Sequence, residues 1–163
     1  MKCLTTLILP LAILLFSVSC KKDSTKIESG FTCKIDGKRW RTSTSDFKVR
    51  ENDCRISQKG ESIFIKARNS GEDFALLVHT AGKIVTEGRY PLNSNAYLVG
   101  VYGNPSYGDF ITGNGYEGEI EIIKIDKEQS RISGRFHFIG YNDKVKQSRS
   151  ITDGTFNILY LTY

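Results

Sequence analysis

The sequence has few of the residues from which metal centres and catalytic sites are built. It contains only two histidines, His79 and His137, in 163 residues. A metal site needs several ligands at suitable spacing, and neither histidine has such neighbours in the sequence. No G-x-S-x-G elbow, P-loop or dinucleotide fingerprint is present either. The sequence therefore predicts no enzyme, no metal and no cofactor.

The chain also lacks an apolar run long enough to span a membrane. Its longest apolar stretch, residues 4–16, follows Lys2 and contains Pro10. A spanning helix needs ~20 apolar residues, and proline disfavours a continuous helix. One positive charge, a short apolar run and small residues up to Cys20 are typical of a secretory signal. We predict that residues 1–19 are a signal peptide.

The end of this stretch, Ser17-Val18-Ser19-Cys20, resembles the lipobox of bacterial lipoproteins, although an aliphatic residue is usual where Ser17 stands. The resemblance implies acylation of Cys20, and several acyl chains anchor a protein firmly, at ~0.8 kcal/mol per buried CH₂. Lys21-Lys22-Asp23 resembles the charged signal of surface-exported lipoproteins of Bacteroidota. We expect attachment to the outer membrane, on its periplasmic or surface side. The alternative is a secreted protein with an incidental cysteine.

Two further cysteines, Cys33 and Cys54, would stay in the mature chain. An exported protein meets an oxidising compartment, and a disulfide closing a loop of this size would stabilise the fold by ~3 kcal/mol. The alternative is that Cys33, which alternates with Phe31 and Ile35, is a small core residue. The sequence leaves both open.

The charge of the chain is mildly basic, with a formal net charge of +5. Its densest basic cluster, Lys38-Arg39-Trp40-Arg41, is typical of a solvated strand edge. We expect no nucleic-acid partner for an exported protein of this kind, and we expect a monomer.

The domain organisation follows from composition. Residues 20–29 are polar and predict a tether, and residues 30–163 predict a single domain. Alternation of apolar and polar residues predicts about nine to ten short strands, without a sustained helical period. We predict an all-β antiparallel sandwich or partly closed barrel, mostly a meander, with a lipocalin-like closed barrel as the alternative. The predicted strands lie in an opening hairpin at residues 31–41, near residues 47–49, 54–58, 61–68, 74–79, 88–92 and 96–102, in a long hairpin at 119–141 and in a closing segment at 151–163.

Two local features are more specific. Asp36-Gly37 between alternating segments predicts a two-residue type I′ hairpin, in which both central residues have positive φ. Ile120 and Ile122 alternate on one face, whereas Ile123 and Ile125 fall on the other. This change of phase predicts a β-bulge or a second covered face.

Several stretches resemble, in order, a family of small Bacteroidota lipoproteins of unknown function. FTCKIDGKRW is similar to its F-x-A-x-x-D-G-x-x-W opening, GRYPL to its G-x-Y-x-L element, and ITDGTFNILY to its closing I-T-D-G-x-F-x-V-x-Y. Cys33 stands where alanine is usual, and Arg39 where proline often precedes the tryptophan. The resemblance implies a lipid-anchored β-domain and no activity.

The loop between Tyr102 and Tyr116 is the predicted ligand site. Tyrosine offers a flat apolar face with a polar tip, and loops on a rigid β scaffold often carry binding. Such a loop could stack on a sugar or hold a peptide; the alternative is that its tyrosines pack back on the sheet. The predicted ligand residues are Tyr102, Tyr107, Asp109, Asn114 and Tyr116.

The function that the sequence favours is a lipid-anchored, non-catalytic binding module for glycan, peptide or another envelope protein. An envelope inhibitor or structural module is the first alternative. The second is a glycoside hydrolase using Glu119 and Glu121, since two carboxylates ~5–9 Å apart can cleave glycosides. Arg131 and Arg135 on the partner strand favour a plain ion-pair face for these carboxylates instead.

Overall fold

The protein is described here by a computed structural model, which covers residues 27–42, 53–93 and 97–163. No helix long and apolar enough to cross a bilayer occurs in these ranges. The predicted signal peptide, Cys20, most of the predicted tether and the predicted strand at residues 47–49 lie outside them. The strands are β1 (Gly30–Ile35), β2 (Lys38–Arg41), β3 (Asp53–Ile56), β4 (Ser62–Asn69), β5 (Glu72–His79), β6 (Gly88–Leu92), β7 (Leu98–Asn104), β8 (Gly108–Ile111), β9 (Gly118–Asp126), β10 (Arg131–Asn142), β11 (Gln147–Leu159) and β12 (Leu161–Thr162).

These strands form one curled, barrel-like sheet. Its hydrogen-bonded order is β12-β3-β4-β5-β7-β8-β10-β11-β1-β2, and β9 pairs with both β10 and β6. β12 follows β11 after Tyr160, and it pairs with β3. The last strand of the chain is therefore hydrogen-bonded to one of the early strands, and the sheet curls back on itself. The prediction of an all-β sandwich or partly closed barrel is confirmed.

The strand count and the pairing differ from the prediction in two ways. The described residues contain twelve strands, because β8 and β9 are separate pieces that both pair with β10, and because β12 is a two-residue continuation of β11. The pairing of β12 with β3 is parallel, and the other pairs among the described strands are antiparallel. A pair of residues is too short to give a periodic signal in a sequence.

Both local predictions are confirmed. Asp36 and Gly37 have φ values of 48° and 81°, as a type I′ turn requires. In the pairing of β9 with β10, the register shifts so that Ile123 is the extra residue of a bulge. The bulge returns Ile125 to the side of the core, where it packs against the buried cluster.

A second bulge lies in β11, at Asp153-Gly154. Asp153 has a φ of 51°, and the register shifts there against both β1 and β10. Gly134 on β10 lies nearby, close to the neighbouring backbone. A Cβ on Gly134 would lie 2.2 Å from the carbonyl oxygen of Glu121, so the position requires glycine. These bulges increase the local twist of long strands and help the sheet to curl.

The two ends of the sheet carry different turns. We call the end formed by residues 57–61, 80–87, 127–130 and 160–163 the tether end, because the predicted tether joins the domain there. The opposite end, with the turns at 36–37, 70–71, 105–107 and 143–146, is the far end. The long strand β10 runs from one to the other, and at ~3.3 Å per residue it spans about 36 Å.

The interior changes in character along this axis. Phe74 lies within 6.4 Å, centroid to centroid, of the rings of Phe31, Trp40, Tyr102, Phe136 and Phe138, so the middle and far-end interior is aromatic. The tether-end interior is aliphatic and is filled by Ile63, Val78, Val85, Ile132 and Ile158. One buried cluster draws side chains from strands between β1 and β11, so these described strands share a core.

Candidate functional site

A groove opens at the far end between two walls. One wall is β8 with the loop that follows it, and the other is the end of β10 with the β10–β11 turn. Its volume is about 400 Å³, within the range typical of small-ligand sites. The lining residues are Gly108, Asp109, Ile111, Thr112, Gly113, Asn114, Tyr141, Asn142, Asp143 and Lys144.

Asn142 holds the two walls together. Its side-chain amide donates to the carbonyl oxygen of Tyr107 at 2.8 Å, on the β7–β8 hairpin. Its side-chain oxygen accepts from the backbone N–H groups of Lys144 at 2.9 Å and Val145 at 3.2 Å, in the β10–β11 turn. Asn142 is only 3% exposed, so these bonds satisfy a buried amide and fix the width of the groove.

Tyrosine rings form part of the second wall. Tyr141 stacks on Tyr116 with ring centroids 4.7 Å apart and planes 1° from parallel. Tyr141 pairs across the ladder with Ile111, whose side chain is 41% exposed. The groove therefore has a flat, partly exposed apolar wall.

Polar groups surround this wall. Asp109, Asn114, Asp143 and Lys144 are exposed at the groove. Asn114, with a φ of 53°, sits at the tip of a tight turn closed by hydrogen bonds between Gly113 and Tyr116. A flat apolar face with amide, carboxylate and ammonium groups beside it can hold a ring that is apolar on one face and rich in hydroxyls at its edge.

The structure brings three of the five predicted ligand residues to this groove. Asp109 and Asn114 line it, and Tyr116 supports its aromatic wall. Tyr107 lies outside the lining: its ring is 46% exposed, and the guanidinium of Arg149 lies 6.0 Å from the ring centroid.

Tyr102 is not a surface ligand residue, and its prediction is corrected. It is a core residue, 2% exposed, in a strand that the sequence pattern had already marked. Its hydroxyl donates to the carboxylate of Glu72 at 2.5 Å. Burial, with this hydrogen bond, raises the pKa of Tyr102 to about 12. The alternation of Leu98, Gly100 and Tyr102 was the signal for an inward position.

The second wall was missed altogether. Tyr141, Asn142, Asp143 and Lys144 follow Asp109 by more than thirty residues in the sequence, and the pairing of Ile111 with Tyr141 brings them together. The loop predicted at residues 103–116 also contains a strand, β8, which supplies the other wall.

Glu119 and Glu121 form an ion-pair cluster on the outer face of β9. Arg89 on β6 lies 3.6 Å from the first carboxylate and 3.4 Å from the second. Arg135 and His137 on β10 are their ladder partners, and His137 is exposed. Arg89 compensates the like charges of the two carboxylates, an arrangement typical of a solvated strand face. The Arg131 side chain instead donates to Asn157 at 3.0 Å.

A hydroxyl–imidazole pair lies elsewhere on the sheet. Ser62 Oγ and His79 Nδ1 are 2.6 Å apart on neighbouring strands, and the ring of Tyr97 lies tilted by 48° with its centroid 4.8 Å from that of the imidazole. Nucleophilic catalysis also needs a group that orients the base. Among the described residues no carboxylate hydrogen-bonds to His79, so we assign this pair no catalytic role.

Cys33 and Cys54 are both buried and free in the structure. Burial, with a smaller effect of Glu72, raises the pKa of the Cys33 thiol to about 12. Burial, with a smaller effect of Asp53, also raises the pKa of the Cys54 thiol. Both thiols stay protonated at neutral pH and are therefore poor nucleophiles. Within the described ranges no cluster of three His, Cys, Asp or Glu residues could hold a metal ion.

Comparison with known proteins gives one match. A family model described as a domain of unknown function (DUF6252) matches residues 28–159, which include every described strand except β12. No curated protein and no solved structure matches the chain.

Proposed function

The chain belongs to the DUF6252 family, whose function is unknown, and from this premise we propose that it is a non-catalytic binding module of the cell envelope that holds a glycan in the far-end groove. The stacked pair Tyr116 and Tyr141, beside exposed amide and carboxylate groups, is the observation that carries the proposal.

The chemistry of the groove fits a sugar ring. The apolar C–H face of the sugar would pack on the aromatic wall, and its hydroxyl groups would bond to Asp109, Asn114 and Lys144. Carboxylates accept, ammonium groups donate and amides do both, so the groove matches the mixed character of hydroxyl groups. Because Asn142 fixes the walls, little ordering is needed on binding.

A peptide is a weaker fit at this place. Extended peptides often bind by adding a strand to a free sheet edge. The strand that forms one wall, β8, is paired with β7 along its length and with β10 at one residue pair, Ile111 and Tyr141. The side chain of Asn142 bridges the two walls next to that pair, so an added peptide strand would have to displace it.

The proposal includes a membrane anchor at Cys20, in the outer membrane. It is supported by the apolar run before the small residues at 17–19 and by the charged residues after the cysteine. Intact-mass analysis of the mature chain tests it directly: we expect acyl chains on Cys20 and no residues before it. A Cys20→Ser variant that still fractionates with envelope membranes would refute the anchor.

The glycan proposal is tested on a glycan array with the full chain and two tyrosine variants. Tyr141→Ala removes the aromatic wall and should weaken glycan binding at least about tenfold, or ~1.4 kcal/mol. Tyr163→Ala, which removes an exposed ring at the opposite end, should leave binding unchanged. Thermal melting of both variants controls for the fold.

Two results would contradict the proposal. One is glycan binding that survives Tyr141→Ala unchanged. The other is a chain that binds no glycan but is captured by an envelope protein, which would favour an envelope inhibitor or structural module.

A further inference from the structure

The tether end carries an unusual concentration of exposed apolar side chains. Ile84, Leu159, Leu161 and Tyr163 are 68%, 51%, 51% and 56% exposed. They are four of the eight large hydrophobic side chains that are exposed among the described residues. The fold does not bury them, so their apolar surface is available for an external contact.

Ile84 is held outward by an ordered loop. The next residue, Val85, is buried, and its N–H donates to the carbonyl oxygen of Gly60 at 2.8 Å. The hydroxyl of Tyr90 bonds to the N–H and the carbonyl oxygen of Thr86, at 3.0 Å and 2.8 Å. The loop is thus fixed at the two residues that follow the exposed isoleucine.

Leu161 and Tyr163 are fixed in a similar way. The N–H of Tyr163 donates to the carbonyl oxygen of Ile56 at 3.2 Å, and its carbonyl oxygen accepts from the N–H of Gln58 at 2.8 Å. Ile84 and Thr162 both line one cleft of about 680 Å³. Lys59 and Lys127 also line it, so Ile84 has lysines in the same cleft.

The chain enters the domain at this same end. The side-chain amide of Asn157 donates to the carbonyl oxygen of Ile27 at 2.8 Å, and Arg131 lies 3.4 Å from the hydroxyl of Ser29. Arg131 pairs across the ladder with the exposed Leu159. The first described residues therefore lie beside the exposed apolar side chains of the tether end.

The length of chain between Cys20 and Ile27 limits how the domain can sit. Those seven residues reach at most about 25 Å when fully extended. The far end lies about 36 Å away along β10. A chain anchored at Cys20 can therefore bring the tether end to a bilayer, but the tether is too short for the domain to stand inverted on its far end.

We propose that the tether end rests on the surface of the lipid bilayer, with Ile84, Leu161 and Tyr163 in the interfacial layer. Tyrosine, apolar side chains and lysines together are typical of residues at a membrane interface. The far-end groove then points away from the membrane. This inference rests on the proposed anchor at Cys20.

The inference is tested with the lipidated full chain in vesicles of phosphatidylethanolamine and phosphatidylglycerol that contain brominated lipids. A fluorophore is placed on Ile84→Cys, Leu161→Cys or, as the control, Tyr107→Cys at the far end. The native thiols of Cys33 and Cys54 are buried, so the introduced cysteine is the one that reacts. Bromine quenches fluorophores that enter the interface.

We expect quenching at positions 84 and 161 to exceed quenching at position 107 at least about threefold. Equal quenching in a chain that floats with the vesicles would overturn the inference and leave the anchor standing. A chain that does not float would refute the anchor instead. Shielding of position 84 without vesicles, which rises with protein concentration, would assign this end to a second copy and overturn the bilayer contact.

Discussion

The two ends of the sheet are built from the same strands but differ in what they expose. The far end exposes a groove in which tyrosine rings stand beside amide, carboxylate and ammonium groups. The tether end exposes isoleucine, leucine and tyrosine beside the first described residues, and Ile84 shares a cleft with two lysines. Neither surface is required to close the core, because the buried cluster lies between them. The contrast is the basis of the two contacts that we propose, one with a polar ligand and one with lipid.

The interior also differs between the two ends, and two variants in β5 test this difference. Phe74 and Val78 are both 1% exposed, but Phe74 touches five other rings at the far half of the core. We expect Phe74→Ala to lower the free energy of unfolding by about 4 kcal/mol. Val78→Ala should cost about 2 kcal/mol, because it removes fewer carbon atoms. Equal costs in denaturant titrations would contradict an aromatic far half.

A smaller effect is expected from the amide that joins the two walls of the groove. Asn142→Ala leaves the carbonyl group of Tyr107 and the N–H groups of Lys144 and Val145 without their side-chain partner. We expect a loss of about 2 kcal/mol in the free energy of unfolding, with weaker glycan binding. Asp143→Ala, at an exposed neighbour, should cost no more than ~0.5 kcal/mol. Wild-type stability in Asn142→Ala would show that the walls are held by other contacts.

Local sequence signals were enough to predict one turn and one bulge, because these depend on a few neighbouring residues. Asp36-Gly37 has the positive φ angles that its turn requires, and the change of phase at Ile123 marks a bulge. The all-β class followed from alternation along many strands. In each case residues close together in the sequence determine the local backbone geometry.

The groove could be predicted only in part, because it is made by pairing between distant segments. Asp109 and Asn114 were found from their loop-like surroundings, whereas Tyr141 and Asn142 came to the site through the single ladder contact between β8 and β10. Tyr102 was assigned to the loop although its strand periodicity pointed inward. The prediction grouped Tyr102 with the loop tyrosines because of its residue type. Its burial in the core makes it a packing residue instead.

A weaker, pH-dependent effect is expected from Tyr102, at the far half of the interior. Its pKa is raised from 10.0 to about 12, so the stability that it contributes is present below pH 10 and is lost as the pH rises toward 12. Wild-type protein should therefore lose more stability between pH 10 and 12 than Tyr102→Phe does. Tyr107→Phe, altered at an exposed ring, serves as the control and should follow the wild-type profile. Identical profiles for wild type and Tyr102→Phe would contradict this assignment.

The smallest effect is expected from reductant. Cys33 lies opposite Trp40 in the aromatic half, and Cys54 lies on β3, opposite Ile65. Both are free in the structure, so a reducing agent should leave the melting temperature unchanged, and a thiol titration in denaturant should find both. A loss of ~3 kcal/mol on reduction would show that a disulfide joins them.

The height of the far end above a bilayer tests the contrast between the two ends most directly. Energy transfer from a donor on Tyr107→Cys to acceptor lipids, in vesicles that carry the lipidated full chain, measures this height. An upright domain resting on its tether end predicts a donor about 36 Å above the lipid surface. A donor within about 15 Å would place β10 along the membrane and would contradict the account.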